Sequence, residues 1–272
     1  MSHKADNRPI GVFDSGLGGL TVVAAINRAL PDEDILYLGD TARVPYGDKS
    51  VDSIRRFAGQ DAGFLLGRGV KIIVAACNTV SAVAMDALRS RYPEAHILGV
   101  LDAGIRAALS VSPRRITITG TRATINSDAY RRGIHAKDPS VIVDSIACPL
   151  LVPMAEEGIT DSTITRSVLD IYLHNVKQDP PDALLLGCTH YPLFKSAIFT
   201  YLEGRVPIID SASACAEYVT EYLRRNHLCA AEGKGSKCGF FVTDMHSELP
   251  VHAARFLGRP PERIEKIALS GE

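Results

Sequence analysis

Leu184-Leu185-Leu186-Gly187-Cys188-Thr189-His190-Tyr191-Pro192 is an apolar run that stops at a cysteine. Apolar residues without alternation suit a strand covered on both faces, as in a parallel sheet. Gly187 lets the backbone turn or approach a ligand. Cys188, Thr189 and His190 then sit just past the carboxyl end of the strand, where open α/β sheets bind ligands. A second stretch has the same design: Ile72-Ile73-Val74-Ala75-Ala76-Cys77-Asn78-Thr79. One thiol therefore falls in each half of the chain, and the remaining sequence reads as two scaffolds that hold them opposite each other.

Working outward, Ile10–Phe13 reads as a strand, followed by Asp14-Ser15-Gly16-Leu17-Gly18-Gly19-Leu20-Thr21 and a helix from Val22 to Leu30. Strand, glycine loop and helix form an anion-binding layout. A dinucleotide is disfavoured, because Thr21 replaces the third glycine of G-x-G-x-x-G and Asp14 would repel a pyrophosphate. Asp14 beside free N–H groups suits a small zwitterion, or else caps a tight turn. Further strands are expected at Asp34–Leu38, Lys71–Ala76, His96–Val100, Arg115–Thr119, Ser140–Ile146, Asp182–Gly187, Val206–Ile209 and Phe240–Thr243. Helices are expected at 51–66, 81–91, 104–109, 163–176, 214–223 and 251–257. Residues 230–237 read as a flexible linker or hairpin tip. Arg115–Thr124 parallels the opening strand and loop, with Thr in place of Asp and Ser. The order strand, helix, strand, helix, thiol strand thus occurs twice. The expected fold is α/β, with two similar doubly wound parallel-sheet domains and the active site in the cleft between them. Residues 1–100 form the first half of an N-terminal domain to which 210–272 return, and 101–209 form the second domain.

The chain has 272 residues, net charge −1 and no basic block, so nucleic acid and anionic membranes are not expected partners. No apolar run reaches the roughly 18 residues of a membrane span, and the polar lead Met1–Arg8 has no signal-peptide core. Six cysteines without a C-x-x-C argue against a disulfide framework in an intracellular chain of this size. Cys188-x-His190 alone is a weak zinc signal. Cys148, Cys215, Cys229 and Cys238 read as inert core residues.

Cys77 and Cys188 differ. Each ends a buried strand and is expected at a helix start, where N–H groups and the helix dipole lower a thiol pKa toward neutrality. A matched pair of thiols suits proton exchange on opposite faces of one carbon, one taking the α-proton while the other returns one. Asn78, Thr79, Thr189 and Ser15 are the right types to absorb the charge developing on the α-carboxylate. No lysine sits at a strand end to form a Schiff base. The rival reading of a thiol hydrolase would need only one cysteine, and a non-catalytic amino-acid sensor would need neither.

Asp14–Thr21, Gly39–Gly47 (GDTARVPYG), Ala76–Thr79 and Gly187–Pro192, with Cys148-Pro149-Leu150, Glu157-Gly158 and Ile209-Asp210-Ser211, resemble the glutamate racemases of the aspartate/glutamate racemase family. The likeness runs from about Pro9 to Gly258. It implies cofactor-independent, metal-free, two-base interconversion of L- and D-glutamate, supplying D-glutamate for peptidoglycan in the bacterial cytoplasm, by a homo-oligomer such as a dimer. It implies Cys77 as the base for the D-isomer and Cys188 for the L-isomer, with Asp14, His190 and Glu157 assisting. Asp14, Ser15, Tyr46, Gly47, Asn78, Thr79, Thr189 and His190 are implied to contact substrate. A sister enzyme acting on aspartate or another small amino acid is the nearest alternative. Asp102-Ala103-Gly104 and Arg122-Ala123 depart from the family pattern.

Overall fold

The computed structural model describes residues 5–269. The first part of the chain forms β1 (Ile10–Asp14), α1 (Leu20–Ala29), β2 (Ile35–Gly39), α2 (Val51–Leu66), β3 (Ile72–Ala75), α3 (Asn78–Val83), α4 (Met85–Arg91), β4 (Ile97–Gly99) and α5 (Val100–Ser110). Then come β5 (Arg115–Gly120), α6 (Arg122–Asn126), α7 (Ala129–His135), β6 (Ile142–Ala147), α8 (Leu151–Glu156), α9 (Thr163–Gln178) and β7 (Ala183–Gly187). The chain closes with α10 (Lys195–Tyr201), β8 (Ile208–Asp210), α11 (Ser211–Arg225), β9 (Cys238–Val242), α12 (Leu249–Leu257) and β10 (Ile264–Lys266).

Two sheets result, ordered β10-β9-β2-β1-β3-β4 and β6-β5-β7-β8. Every pairing is parallel, so this is the doubly wound α/β architecture expected. The strands that read as unbroken apolar runs, β1, β3 and β7, are buried at every position, as helices on both faces of a parallel sheet require. The segments β2-β1-β3-β4 and β6-β5-β7-β8 have the same order, so the echo between the halves is topological. In each, the chain first adds a strand on one side and then crosses to the other. That reversal opens a crevice at the carboxyl ends of β1 and β3, and of β5 and β7. The register there pairs Phe13 with Ala75 and Gly120 with Gly187. Ser15 is thereby brought beside Cys77, and Thr121 beside Cys188.

One core cluster joins the two halves. It combines Val12, Leu20 and Val23 with Leu169, Leu186, Cys188 and Tyr191, and with Val219 and Phe256 from the C-terminal part. Separate clusters fill the space under α2 and α4 and under α5 and α7. Several local expectations change. The single helix expected over 81–91 is two, because Ala84 (φ −120°, ψ −8°) interrupts it. Residues 230–237 are no hairpin tip, since β9 runs parallel to β2. They are pinned instead, with the Gly233 and Gly235 N–H groups on the Asp32 carboxylate and that of Lys237 on Asp34. Among the described residues no helix is long and apolar enough to cross a membrane.

Candidate active site

At the end of β1 the Asp14 carboxyl is fully buried. Its Oδ2 accepts the N–H of Gly16 (3.2 Å) and of Gly19 (3.0 Å), while Oδ1 has no hydrogen-bond partner among the described residues. Burial pushes the pKa of Asp14 up, against the opposing pull of His190 and those backbone donors. Next along the chain, the Ser15 hydroxyl accepts from the Cys77 thiol at 3.5 Å.

Cys77 ends β3 and occupies the position before α3, as the sequence indicated. Its acidity is the opposite of the expectation. Burial, reinforced by the Asp14 carboxylate, pushes the thiol up to about 12, and the Ser15 hydroxyl and Val80 N–H offset only part of this. One N–H of a six-residue helix and a hydroxyl do not compensate for burial backed by an acidic residue. Cys188 ends β7 but does not start a helix. The chain turns through Thr189 and His190 into one short 3₁₀ turn, Tyr191–Phe194, and α10 begins only at Lys195.

What faces Cys188 is His190, with Nδ1 3.8 Å from the sulfur and Nε2 3.3 Å from Glu156 Oε1. Burial alone would lower the imidazole pKa. The Cys188 sulfur and the Glu156 carboxylate, with Asp14 beyond, outweigh it and push His190 up to about 10. The carboxylate in this contact is therefore Glu156, not the expected Glu157, which is exposed and lies off the cleft. Val152, Pro153 and Glu156 line the cleft from α8, whereas Glu157 is the residue just past the end of that helix. Pro153 is tolerated because it falls in the first turn.

Both thiols line one cleft of about 600 Å³, shared with Ser15, Tyr46, Gly47, Asn78, Thr79, Thr189 and His190. Asp14 lies beneath it. The Tyr46 hydroxyl is turned away, donating to the buried Asp40 and Asp61 carboxylates; its ring and Gly47 border the cleft. The Asn78 amide is fixed by the Tyr130 hydroxyl on Oδ1 (2.6 Å) and by Nδ2 donating to Ser211 (3.3 Å), which leaves one amide hydrogen unassigned. Thr79, Thr121 and Thr124 form a cluster of hydroxyls 3.0–3.3 Å apart that spans the two halves. Thr121 was missed as a site residue, although the repeat placed it where Ser15 stands in the first half. Pro149 and Leu150, in a stretch that carries the resemblance, and Arg122, where the chain departs from it, are also on the wall, as is Tyr172, which carried no sequence signal. At Gly18 the backbone of the first half packs directly on the turn after β7. A Cβ there would lie 2.4 Å from Thr189 Oγ1 and 2.5 Å from His190 Nδ1, so only glycine permits this approach. The Thr21 hydroxyl closes the contact by donating to the Thr189 carbonyl at 3.0 Å. Among the described residues no group of three His, Cys, Asp or Glu side chains converges to hold a metal ion.

The family profile described as Asp/Glu/Hydantoin racemase matches residues 10–219, which include β1 with its loop and both thiols. The chain belongs to that racemase family. A glutamate racemase of Syntrophus aciditrophicus is 44% identical over 268 residues, 98% of this chain and 99% of the relative. One of Neisseria meningitidis serogroup A is 43% identical over 270 residues, 99% of this chain and the whole of the relative. The crystal structure of glutamate racemase from Francisella tularensis in complex with D-glutamate superposes with a TM-score of 0.91 at 39% identity, covering 97% of this chain and 99% of that one. For a racemase, two similar groups at equivalent ends of two matched sheets are the arrangement that a proton exchange at one stereocentre needs.

Proposed function

We propose that this racemase interconverts L- and D-glutamate with Cys77 and Cys188 as its two bases. The observation that carries the reading is that both thiols line one cleft, each at the end of the third strand of its sheet. In one direction the Cys188 thiolate takes the α-proton of L-glutamate, and the C–H electron pair passes into the α-carboxylate. The Cys77 thiol then returns a proton to the opposite face, giving D-glutamate, a Cys77 thiolate and a Cys188 thiol. The reverse direction exchanges the roles, so the two groups must be alike.

Hydroxyls of Thr79, Thr121 and Thr189 and nearby backbone N–H groups suit the enediolate-like charge of the transition state. The substrate ammonium suits the unpaired oxygen of Asp14 below the cleft. Its charge there also offsets the Asp14 repulsion that, added to burial, raises the Cys77 thiol. We assign to Glu156 the assisting carboxylate role first given to Glu157, since Glu156 is the one that meets His190. Glutamate, rather than aspartate, is favoured by relatives of 43–44% identity that are glutamate racemases. The resemblance read from the motifs further implies a homo-oligomer, such as a dimer, that acts in the cytoplasm and whose D-glutamate enters peptidoglycan. No cofactor takes part in this scheme.

Circular dichroism of L- and D-glutamate solutions, with aspartate as control, tests the reading. Cys77→Ala and Cys188→Ala each lower kcat by at least about 10³-fold, consistent with loss of an acid–base group. In D₂O the parent enzyme places deuterium at the α-carbon of the product in both directions. Full turnover by either variant, or product without deuterium, would exclude two exchanging thiols. Faster turnover of aspartate would move the substrate assignment to the sister reaction.

A further inference from the structure

The His190–Glu156 pair is backed by an element with no part in the scheme above. α12 follows β9 of the first sheet, and its Leu249, Ala253, Phe256 and Leu257 are buried in the shared core beside α1. Its last turn nevertheless meets the second sheet's catalytic turn. The Phe256 ring, 3% exposed, stands edge to face against the His190 imidazole, centroids 5.1 Å apart and planes at 76°. The adjacent Arg255 donates through Nη1 to the backbone carbonyl of Glu156. Its guanidinium passes over Gly158, where φ is +75° and a Cβ would come within 2.9 Å of Arg255 Nε. Two consecutive residues thus touch both members of the His190–Glu156 pair and the turn that ends α8.

We propose that Phe256 and Arg255 are positioning residues for the Cys188 side of the reaction, holding His190 with Nδ1 toward Cys188 and Nε2 toward Glu156. The proposal rests on the two-thiol reading. The contacts it explains are long, 3.8 Å to the sulfur and 3.3 Å to the carboxylate, and contacts of that length orient a ring weakly. Rotation of an imidazole about χ2 is broad and nearly two-fold. A half-turn would put carbon where Nδ1 and Nε2 stand and abolish both contacts. An aromatic edge packed on the ring opposes that rotation. The Glu156 side chain is 42% exposed, so its place is set largely by its backbone, which Arg255 holds. The titratable and charged groups facing the imidazole are Cys188, Glu156 and, further off, Asp14; Arg255 is the cation of α12 beside them.

The test uses the full chain with Arg255→Met, Arg255→Lys and Phe256→Leu. Arg255 is exposed, so Arg255→Met folds with a melting temperature close to that of the parent. Its kcat for glutamate falls roughly tenfold, as displacement of a catalytic group by a fraction of an ångström predicts, while KM changes less than about twofold. Arg255→Lys recovers part of the loss. ¹⁵N spectra of histidine-labelled protein, with the His190 resonances identified by their absence in His190→Asn, move from imidazolium positions toward neutral ones at pH 8 in Arg255→Met and Phe256→Leu. This arm needs no turnover, so it decides the positioning role even if the enzyme does not act on glutamate. Unchanged His190 resonances in both variants would overturn the proposal, whether activity persists or falls in step with melting temperature.

Discussion

Lys71 is an ammonium with no exposed side chain, paired with one carboxylate and bonded to two backbone carbonyls. Nζ lies 2.5 Å from Glu33 Oε2 and donates to the carbonyls of Asp6 (2.8 Å) and Leu228 (2.6 Å). Glu33 Oε1 in turn accepts the Ala230 N–H. One buried pair therefore ties the lead into β1, the loop between α1 and β2, and the chain leaving α11. It sits at the amino ends of the strands, away from the cleft. A buried pair of this kind adds little over an apolar replacement of both members, but removal of one leaves an uncompensated charge that costs about 3–5 kcal/mol. Lys71→Met is expected to lose stability on that scale in urea unfolding. The double variant Lys71→Met/Glu33→Gln recovers part of it, and kcat stays unchanged in both. A loss below about 1 kcal/mol in the single variant would mean that water reaches Glu33 on unpairing. Gly18 makes the same kind of point inside the site, since its missing Cβ is what lets the first half's loop touch His190.

At the scale of elements, α11 couples helix capping to the site. Asp210 caps it through Oδ1, which accepts the Ser213 N–H at 2.7 Å, and pairs through Oδ2 with Lys195 at 2.6 Å. Burial would raise the pKa of Asp210, but Lys195 and the Ser213 donor outweigh it and hold it below the usual carboxylate range. A folded pKa below the unfolded one contributes stability above about pH 4 that is lost as pH falls through the folded value. Asp210→Ala is therefore expected to cost about 1–2 kcal/mol near neutrality, with the gap to the parent narrowing toward pH 3 in thermal melts. A gap independent of pH would assign the loss to packing alone. The first residue of the same helix, Ser211, accepts from Asn78, so its capping also bears on the cleft. Strands such as β1, β3 and β7 were legible because burial on both faces leaves unbroken apolar runs ending at turn residues, and the two thiols inherit their places from those ends. The pinned loop at 230–237, the break at Ala84 and the half-exposed β10 carry no such pattern. Glu156 and Glu157 are indistinguishable as letters; only the point where α8, a six-residue helix with a proline in it, ends separates them. The contact of Phe256 with His190 joins residues far apart in the chain, where periodicity has nothing to say. The acidity of Cys77 depends on what is buried behind it, which a helix-start argument does not see.

Across the whole molecule these buried groups act in one direction as pH rises. His190 is pushed up to about 10 by Cys188 and Glu156 despite burial, whereas an unfolded histidine titrates near 6.5. Burial pushes the Cys77, Cys148 and Cys215 thiols up to about 12, against about 8.5 in the unfolded chain. Between pH 6.5 and 10 the folded protein keeps a proton on His190 that the unfolded chain has released. Between about 8.5 and 12 it keeps further protons on these three sulfurs, and burial pushes Cys229 and Cys238 in the same direction. With more protons bound in the native state, stability falls as pH rises, by up to about 1.4 kcal/mol per pH unit for each such proton. Carboxylates with depressed pKa values, such as Asp182 and Asp210, have the opposite sign but titrate below about pH 4, so they offset nothing here. The urea midpoint is expected to drop from pH 7.5 to pH 9.5 under reducing conditions. His190→Asn should flatten the slope below pH 8.5, where the thiols do not yet contribute, and Cys215→Ala should flatten it only above. A midpoint that holds or rises over this window would mean that the imidazole and the thiols are not the protonated groups that the packing between the two sheets makes them.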